Sequence, residues 1–338
     1  VTILDLAIPV IAAPMAGGPT TPDLVVAASE AGGLGFLAAG YKTPEALADH
    51  INDVRSRTDT FGVNLFAPRP VPVDPAAYAA YRERIRADAE RLQADVPEVP
   101  REDDDAWAAK LGLLVADPVP LVSFTFGIPS AREIKRLRDV GTITAQTVTT
   151  ADEARAGAEA GVDLLVVQAP AAGGHSGTLS PARIPRDRPL NDLVAEIAAT
   201  TVLPLIAAGG IMTSADARAA LDHGASAVAV GTALLLAPEA GTSAAHRDAL
   251  LGPDRGPTVM TRAFSGRPAR AIPNAFLTEH HEEAPSGYPA IHHLTSPMRK
   301  AAAAAGDPEH VNLWAGAGYR QARERPAADT LRAIAAGL

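Results

Sequence analysis

Eight short apolar runs, each followed by a stretch of helical period, constrain this chain more than any other feature. They are Val10–Ala13, Gly35–Ala38, Phe61–Leu65, Leu121–Phe124, Thr142–Gln146, Leu164–Gln168, Leu205–Ala208 and Ala227–Val230. Between them the sequence predicts helices near 22–31, 44–56, 75–94, 130–139, 151–160, 191–199 and 214–222, several opened by a Thr-Pro, Pro-Ser or Thr-Ser signal. Strands rich in β-branched residues that alternate with Ala-rich helices make βα units and a parallel sheet. Eight such units predict closure into an α/β fold of the (β/α)8 TIM-barrel type.

An internal repeat supports this reading. Residues Thr150-Ala151-Asp152-Glu153-Ala154-Arg155 through Asp163 align with Thr213-Ser214-Ala215-Asp216-Ala217-Arg218 through Ser226, and each copy reads as cap, amphipathic helix, glycine stop and buried strand. The two copies are therefore equivalent passages two units apart. Residues 70–115 exceed a normal βα connection and, with Pro at 68, 70, 72 and 75 before a charged helical stretch, read as a solvent-facing helical insertion. The βα rhythm stops after Ala237-Pro238. This divides the chain into a barrel over 1–238, a smaller, mostly helical lid domain over 239–312 placed after the last strand, and a C-terminal helix within 313–338 that returns to the barrel.

Composition narrows the function. With 338 residues and 47% hydrophobic content the chain can bury a large core. A net charge of −9 without a Lys/Arg run argues against a nucleic-acid partner. The absence of cysteine excludes disulfides, thiolate metal sites and a cysteine nucleophile. The apolar stretches Leu203–Ile211 and Ala225–Ala237 fall short of the roughly 20 residues a membrane helix needs. With no signal-peptide pattern either, the expectation is a cytoplasmic protein without a membrane partner, its oligomeric state unspecified.

In such a barrel the reactive residues lie at the C-terminal ends of the strands. That filter selects Pro14, Met15, Ala16 and Gly17 after strand 1, Asn64 on strand 3, Gln146 on strand 5, Gln168 with Gly173, Gly174 and His175 after strand 6, Gly209 and Gly210 after strand 7, and Gly231 and Thr232 after strand 8. The last two pairs present free backbone N–H groups suited to a phosphate, with Thr232 adding a hydroxyl. Asn64, Gln146 and Gln168 carry donor and acceptor together, which suits the alternating edge of a flat heterocycle. His175 closes a loop whose glycines let its ring approach a bound cofactor, and a neutral imidazole can take a carbon-bound proton or hold a developing anion.

Other features carry less. Gly33-Leu34-Gly35-Phe36-Leu37-Ala38 fits a loose dinucleotide pattern, but the strand falls inside it, so it reads as helix stop and strand. His280-His281 and His292-His293 read as polar lobe surface, and no metal site is expected. His223 reads as a helix C-terminal cap.

These loops bring the chain close to a known family. Ala13-Pro-Met-Ala-Gly17, Gly62-Val-Asn-Leu-Phe66, Ala171-Ala-Gly-Gly-His-Ser-Gly177, Ala208-Gly-Gly-Ile211, Val230-Gly-Thr232, Phe264-Ser-Gly-Arg-Pro-Ala-Arg270, Tyr288-Pro289 with His293-Leu-Thr-Ser-Pro-Met298, and Asn312-Leu-Trp-Ala-Gly-Ala-Gly318 resemble the class I nitronate monooxygenases. The resemblance implies FMN held by Asn64, Gln168, Gly173, Gly210 and Ala229, Val230, Gly231 and Thr232, with His175 as the catalytic histidine. It implies oxidation of an alkyl nitronate or nitroalkane, with propionate 3-nitronate as one candidate, by dioxygen to a carbonyl compound and nitrite. Phe126, Ser286 and Tyr288 are candidates for substrate contact. Ser176 stands where many members carry Arg, which leaves Arg183, Arg267 or Arg270 to supply charge for a carboxylated substrate. The same Gly-Gly-His loop also fits an NAD(P)H:quinone or enoyl-acyl-carrier-protein reductase, and a flavin-binding protein without turnover is the third reading.

Overall fold

The computed structural model describes residues 6–69 and 72–338. Its strands are β1 Val10–Ala12, β2 Leu34–Ala38, β3 Phe61–Phe66, β4 Leu121–Thr125, β5 Ile143–Val148, β6 Leu164–Gln168, β7 Gly174–His175, β8 Leu205–Ala208, β9 Ala227–Val230, β10 Val259–Thr261 and β11 Ala269–Ala271. Its helices are α1 Pro22–Glu30, α2 Pro44–Arg55, α3 Pro75–Arg84, α4 Arg86–Arg91, α5 Trp107–Ala116, α6 Ala131–Asp139, α7 Ala151–Ala160, α8 Leu190–Ala198, α9 Ser214–Asp222, α10 Ala244–Leu251, α11 Ala275–His280, α12 Ala290–Ala304 and α13 Ala327–Ile334. Strands β1 to β6, β8 and β9 form a closed parallel barrel, in which β9 pairs with β1 through Val10 opposite Val228. The fold is the TIM barrel that the eight runs predict.

Strand parity fixes which side chains enter the barrel, because successive residues point to opposite faces. Ile11, Phe36, Leu121, Ala145 and Ile206 pack together inside it. Val10, Leu37, Val122, Val148 and Val228 face the helical layer instead. The repeated passages keep their caps: Thr150 accepts from Glu153 N at the start of α7, and Thr213 makes a full capping box with Asp216 at α9. His223 follows α9 as its C-cap, with Nδ1 2.7 Å from Ala219 O. The last helix, α13, packs against α1, α9 and β1.

The insertion differs from expectation. The predicted helix 75–94 is two helices broken at Ile85, followed by α5, and it is not solvent-facing along its whole surface. Tyr78, Tyr81 and Ile85 are buried against Phe264, Phe276 and Leu294. The Tyr81 hydroxyl donates to Ala263 O at 2.7 Å. Segment 239–312 is less helical than its composition implies, because β10, β11 and β7 form an antiparallel sheet with Ala269 opposite His175 and Arg270 opposite Gly174. The histidine pairs are also not simple surface. His280 is fully buried with Nε2 2.8 Å from Asp88 Oδ2, and His293 Nε2 lies 2.8 Å from Asp103 Oδ2.

Candidate active site

One cavity of about 870 Å³ occupies the C-terminal mouth of the barrel. Its wall includes Pro14, Met15, Ala16, Gly17, Asn64, Phe126, Gln168, Gly173, Gly174, His175, Gly209, Gly210, Ala229, Val230, Gly231, Thr232 and Tyr288. Loops separated by more than 200 residues therefore meet at one rim.

Two sequence candidates fall elsewhere. Gln146 shares the parity of Thr144 and Val148, so it points into the helical layer, where its side chain lies against Gly157 and its Nε2 donates to Thr147 O at 3.0 Å. Thr147 takes the inward position on β5 instead. Ser286 does not line the cavity; its hydroxyl is buried without a hydrogen-bond partner among the described residues.

The amides on the rim are partly committed to the protein. Asn64 Nδ2 donates to Ser123 Oγ at 2.9 Å and Thr125 Oγ1 at 3.0 Å, anchoring β3 to β4. Gln168 accepts from Gly177 N at 2.6 Å through Oε1 and donates to His175 O at 3.1 Å through Nε2. It clamps both sides of the histidine. Glu153, at the third position of α7, reaches the same loop, accepting from Leu179 N at 2.7 Å and Thr178 Oγ1 at 3.0 Å. Gly173 has no room for a side chain, since a Cβ there would stand 2.5 Å from Gly316 N.

His175 is held from the lobe side as well. Its Nε2 lies 2.8 Å from Ser265 Oγ, and that hydroxyl donates to Arg267 O at 3.3 Å, which assigns the proton to Nε2 and the lone pair to Nδ1. Phe126, Tyr288 and Trp314 surround the ring at centroid distances of 5.7, 5.8 and 5.4 Å. Burial, reinforced by the Arg267 and Arg299 charges, pushes the imidazole down to about 3. It is neutral throughout the physiological range. Phe126 sits at φ +82°, a conformation costing about 1–3 kcal/mol in a residue with a side chain, and the Arg267 guanidinium stacks 3.9 Å from its ring centre.

The charged residues proposed for a carboxylate are not at the cavity. Arg183 is exposed, Arg267 donates to Ser176 O and Thr178 O behind the histidine, and Arg270 donates to Pro170 O and Thr258 O. Arg299, His292 and Tyr41, absent from the sequence-level candidates, line it instead. Tyr41 stacks on His292 at 4.2 Å, and burial holds His292 well below the ordinary imidazole value.

A closed parallel barrel with a histidine set at its C-terminal mouth, bare glycine loops across from it and a lobe roofing the opening defines an enzyme of the (β/α)8 class. The profile described as nitronate monooxygenase matches residues 2–337. A probable nitronate monooxygenase of Staphylococcus aureus is 37% identical over 330 residues, covering 96% of this chain and 92% of that protein. Among solved structures, the nitroalkane oxidase of Streptomyces ansochromogenes is 44% identical with a TM-score of 0.92, covering 98% of this chain and 95% of that one. FabK of Thermotoga maritima is 25% identical with a TM-score of 0.76, covering 98% and 93%. The chain belongs to the nitronate monooxygenase family, and with it to the oxidoreductases. No helix among the described residues is long and apolar enough to cross a membrane.

Proposed function

We propose that this protein binds FMN and oxidises alkyl nitronates with dioxygen, releasing a carbonyl compound and nitrite. The observation that carries the proposal is the shared cavity: His175, the rim of Asn64, Thr147 and Gln168, and both glycine pairs line one space.

The residues present fit the cofactor. The cavity lies in the upper part of the roughly 300–1,000 Å³ range of small-molecule sites. Gly209 and Gly210 adopt φ +109° and +83°, and a Cβ on Gly210 would crowd Ala171 at 3.3 Å, so the backbone is left bare for phosphate oxygens. Gly231 and Thr232 stand at the end of the adjacent strand, and Thr232 Oγ1, which accepts from Gly316 N at 2.9 Å, keeps its hydrogen to donate. When bound, FMN supplies the electron-accepting chemistry that lets dioxygen complete the oxidation.

The protein's own part is positional and electrostatic. A neutral His175 with its lone pair on Nδ1 is a weak base, which favours a preformed nitronate over a neutral nitroalkane. Rotation of the Ser265 hydroxyl toward Nε2 would move the ring proton to Nδ1, turning that nitrogen into a donor for the nitronate. Phe126, Tyr288 and Trp314 exclude water around the ring.

The test is aerobic nitrite release by the FMN-loaded protein from a panel of nitronates, with carbonyl product measured in parallel. Stoichiometric nitrite and carbonyl are expected. The Gly173-Gly174-His175 loop also fits a second reading, an NAD(P)H:quinone or enoyl-acyl-carrier-protein reductase. Rapid flavin bleaching on anaerobic mixing with NADH or NADPH, with no nitrite in air, would replace the first reading with the second.

A further inference from the structure

We infer that Arg267 is a positioning residue for the reaction, joining Phe126, Ser265 and the loop after His175 into one rigid mount for the imidazole. The kinetic part of the inference rests on the proposed nitronate reading. It adds a residue that acts through its neighbours, outside the wall of the cavity.

The segment Phe264-Ser-Gly-Arg-Pro-Ala-Arg270 leads into β11, whose pairing with Gly174–His175 carries Arg267 behind the histidine. The backbone of Arg267 contributes first. Its carbonyl accepts from Ser265 Oγ at 3.3 Å, and its N–H points to the same oxygen at 3.4 Å. The hydroxyl that meets His175 Nε2 at 2.8 Å is thereby fixed by the main chain of Arg267. The next residue continues the seam, with Pro268 O accepting from Ser176 N at 2.8 Å.

The side chain completes the mount. Nε donates to Ser176 O at 3.1 Å and Nη2 donates to Thr178 O, two carbonyls of the segment that follows His175. The guanidinium carbon stands 3.9 Å from the ring centre of Phe126, and that ring lies 5.7 Å from the imidazole. A planar cation serves both contacts together, because its edge carries a fixed fork of donors while its face stacks on an aromatic ring. A lysine ammonium is a compact point charge and cannot present the two at once. Phe126 is strained at φ +82°, and a desolvated cation–π contact is of the same order as that strain, so the stack helps to keep the ring turned toward the histidine.

Ordinary packing does not account for this arrangement. Arg267 is 1% exposed, and burial pulls it down to about 9, so a cation is retained in the interior at neutral pH. An apolar side chain of similar volume would fill the space without the desolvation penalty. What the guanidinium adds is order in a loop gripped by other groups as well. Gly177 N donates to Gln168 Oε1 at 2.6 Å, while Thr178 Oγ1 and Leu179 N donate to Glu153 at 3.0 and 2.7 Å. Thr178 is thus held by a buried carboxylate through its hydroxyl and by a buried guanidinium through its carbonyl. Loss of the guanidinium leaves two buried carbonyls without it, and the loop must shift to find new partners. A shift of about 1 Å in a reacting group is enough to slow a reaction by roughly 100-fold.

The test measures kcat and KM for nitrite release from the nitronate of 1-nitropropane, per bound FMN, in wild type, Arg267→Met and Arg267→Lys. Arg267→Met should lower kcat by about 100-fold, with KM and FMN affinity within about threefold of wild type. Arg267→Lys should recover about tenfold of that loss, since it keeps the charge and can reach one carbonyl. A residue that merely stabilised the fold would reduce the loaded fraction and leave kcat per flavin unchanged. The inference is overturned by a kcat for Arg267→Met within about threefold of wild type, by a lysine variant no faster than the methionine one, or by a loss of FMN affinity of about tenfold or more. Amide hydrogen exchange on the FMN-loaded protein reads the mount without turnover. In Arg267→Lys the amides of 176–179 should exchange about tenfold faster or more while those of β6 and β8 stay as in wild type, and unchanged exchange in the loop overturns the inference. That readout also holds if wild type forms no nitrite, an outcome that removes the nitronate reading alone. Should neither variant fold, exchange in wild type decides: amides of 176–179 protected together with β6 support the mount, and amides as fast as those of the exposed segment 182–187 refute it.

Discussion

Acid should destabilise this protein by an amount that follows from its buried histidines. His175 is held down to about 3 and His246 to about 4 by burial, and His292 lies well below the ordinary value for the same first reason. In each case the unfolded chain binds a proton below about pH 6.5 while the folded state stays neutral. Stability is then intact above pH 6.5 and is lost as the pH falls toward the folded-state value. At pH 5 the loss is about 2 kcal/mol for each of His175 and His246, from RT ln(1 + 10^1.5), and it is insensitive to the folded value as long as that does not exceed about 4. His175 and His246 together cost about 4 kcal/mol, close to the whole stability of a marginal domain. The perturbation is His175→Gln, which removes one titrating group from the set. Urea unfolding at pH 7.5 and pH 5.0, with FMN held at the same saturation, gives the stability difference between the two conditions for each protein. That difference should be smaller in the variant by about 2 kcal/mol. A change below about 0.5 kcal/mol would show that the imidazole protonates in the folded protein, and the argument for a neutral His175 would fall with it.

His175→Ala should retain yellow, FMN-loaded protein while turnover of a neutral nitroalkane falls by about 10²–10⁴-fold, as followed by nitrite release. Gly210→Val places a branched side chain at φ +83° and close to Ala171, so the purified protein should be largely free of flavin, with little absorbance near 450 nm; normal FMN affinity would remove the phosphate role from this loop. Glu153→Ala strips acceptors from Thr149 N, Thr178 Oγ1 and Leu179 N and should cost about 3 kcal/mol in chemical denaturation, together with a loss of hydrogen-exchange protection in the loop after His175.

The barrel was legible because buried strands and capped helices each leave a local mark. Leu164–Gln168, Leu205–Ala208 and Ala227–Val230 coincide with β6, β8 and β9 residue for residue. Parity was not legible in Thr142–Gln146, because a strand enclosed on both faces has no apolar and polar sides to alternate, and Gln146 is thereby assigned to the wrong one. The roof of the site was harder still. His280 and His293 find their acidic partners about 190 residues away, in the insertion, and nothing local distinguishes such a histidine from one in solvent. Ser265 belongs to a recognisable motif, yet its approach to His175 depends on strand pairing between distant segments. Arg299 did leave a signal. The polar series 292, 296, 299 and 300 against the apolar series 291, 294, 298 and 302 marks a two-faced helix, visible once a helix is sought in that region.

The pairing of Gly174–His175 with Ala269–Ala271 has a consequence for anyone recombining these proteins. The reactive loop leaves the barrel wall only to become the edge of a ribbon whose centre is contributed by the roof. A chimera that grafts a foreign roof to alter substrate choice would therefore also replace the mould in which the imidazole is cast. Segments 171–178 and 264–271 should be transplanted as one unit, whichever parent supplies the rest.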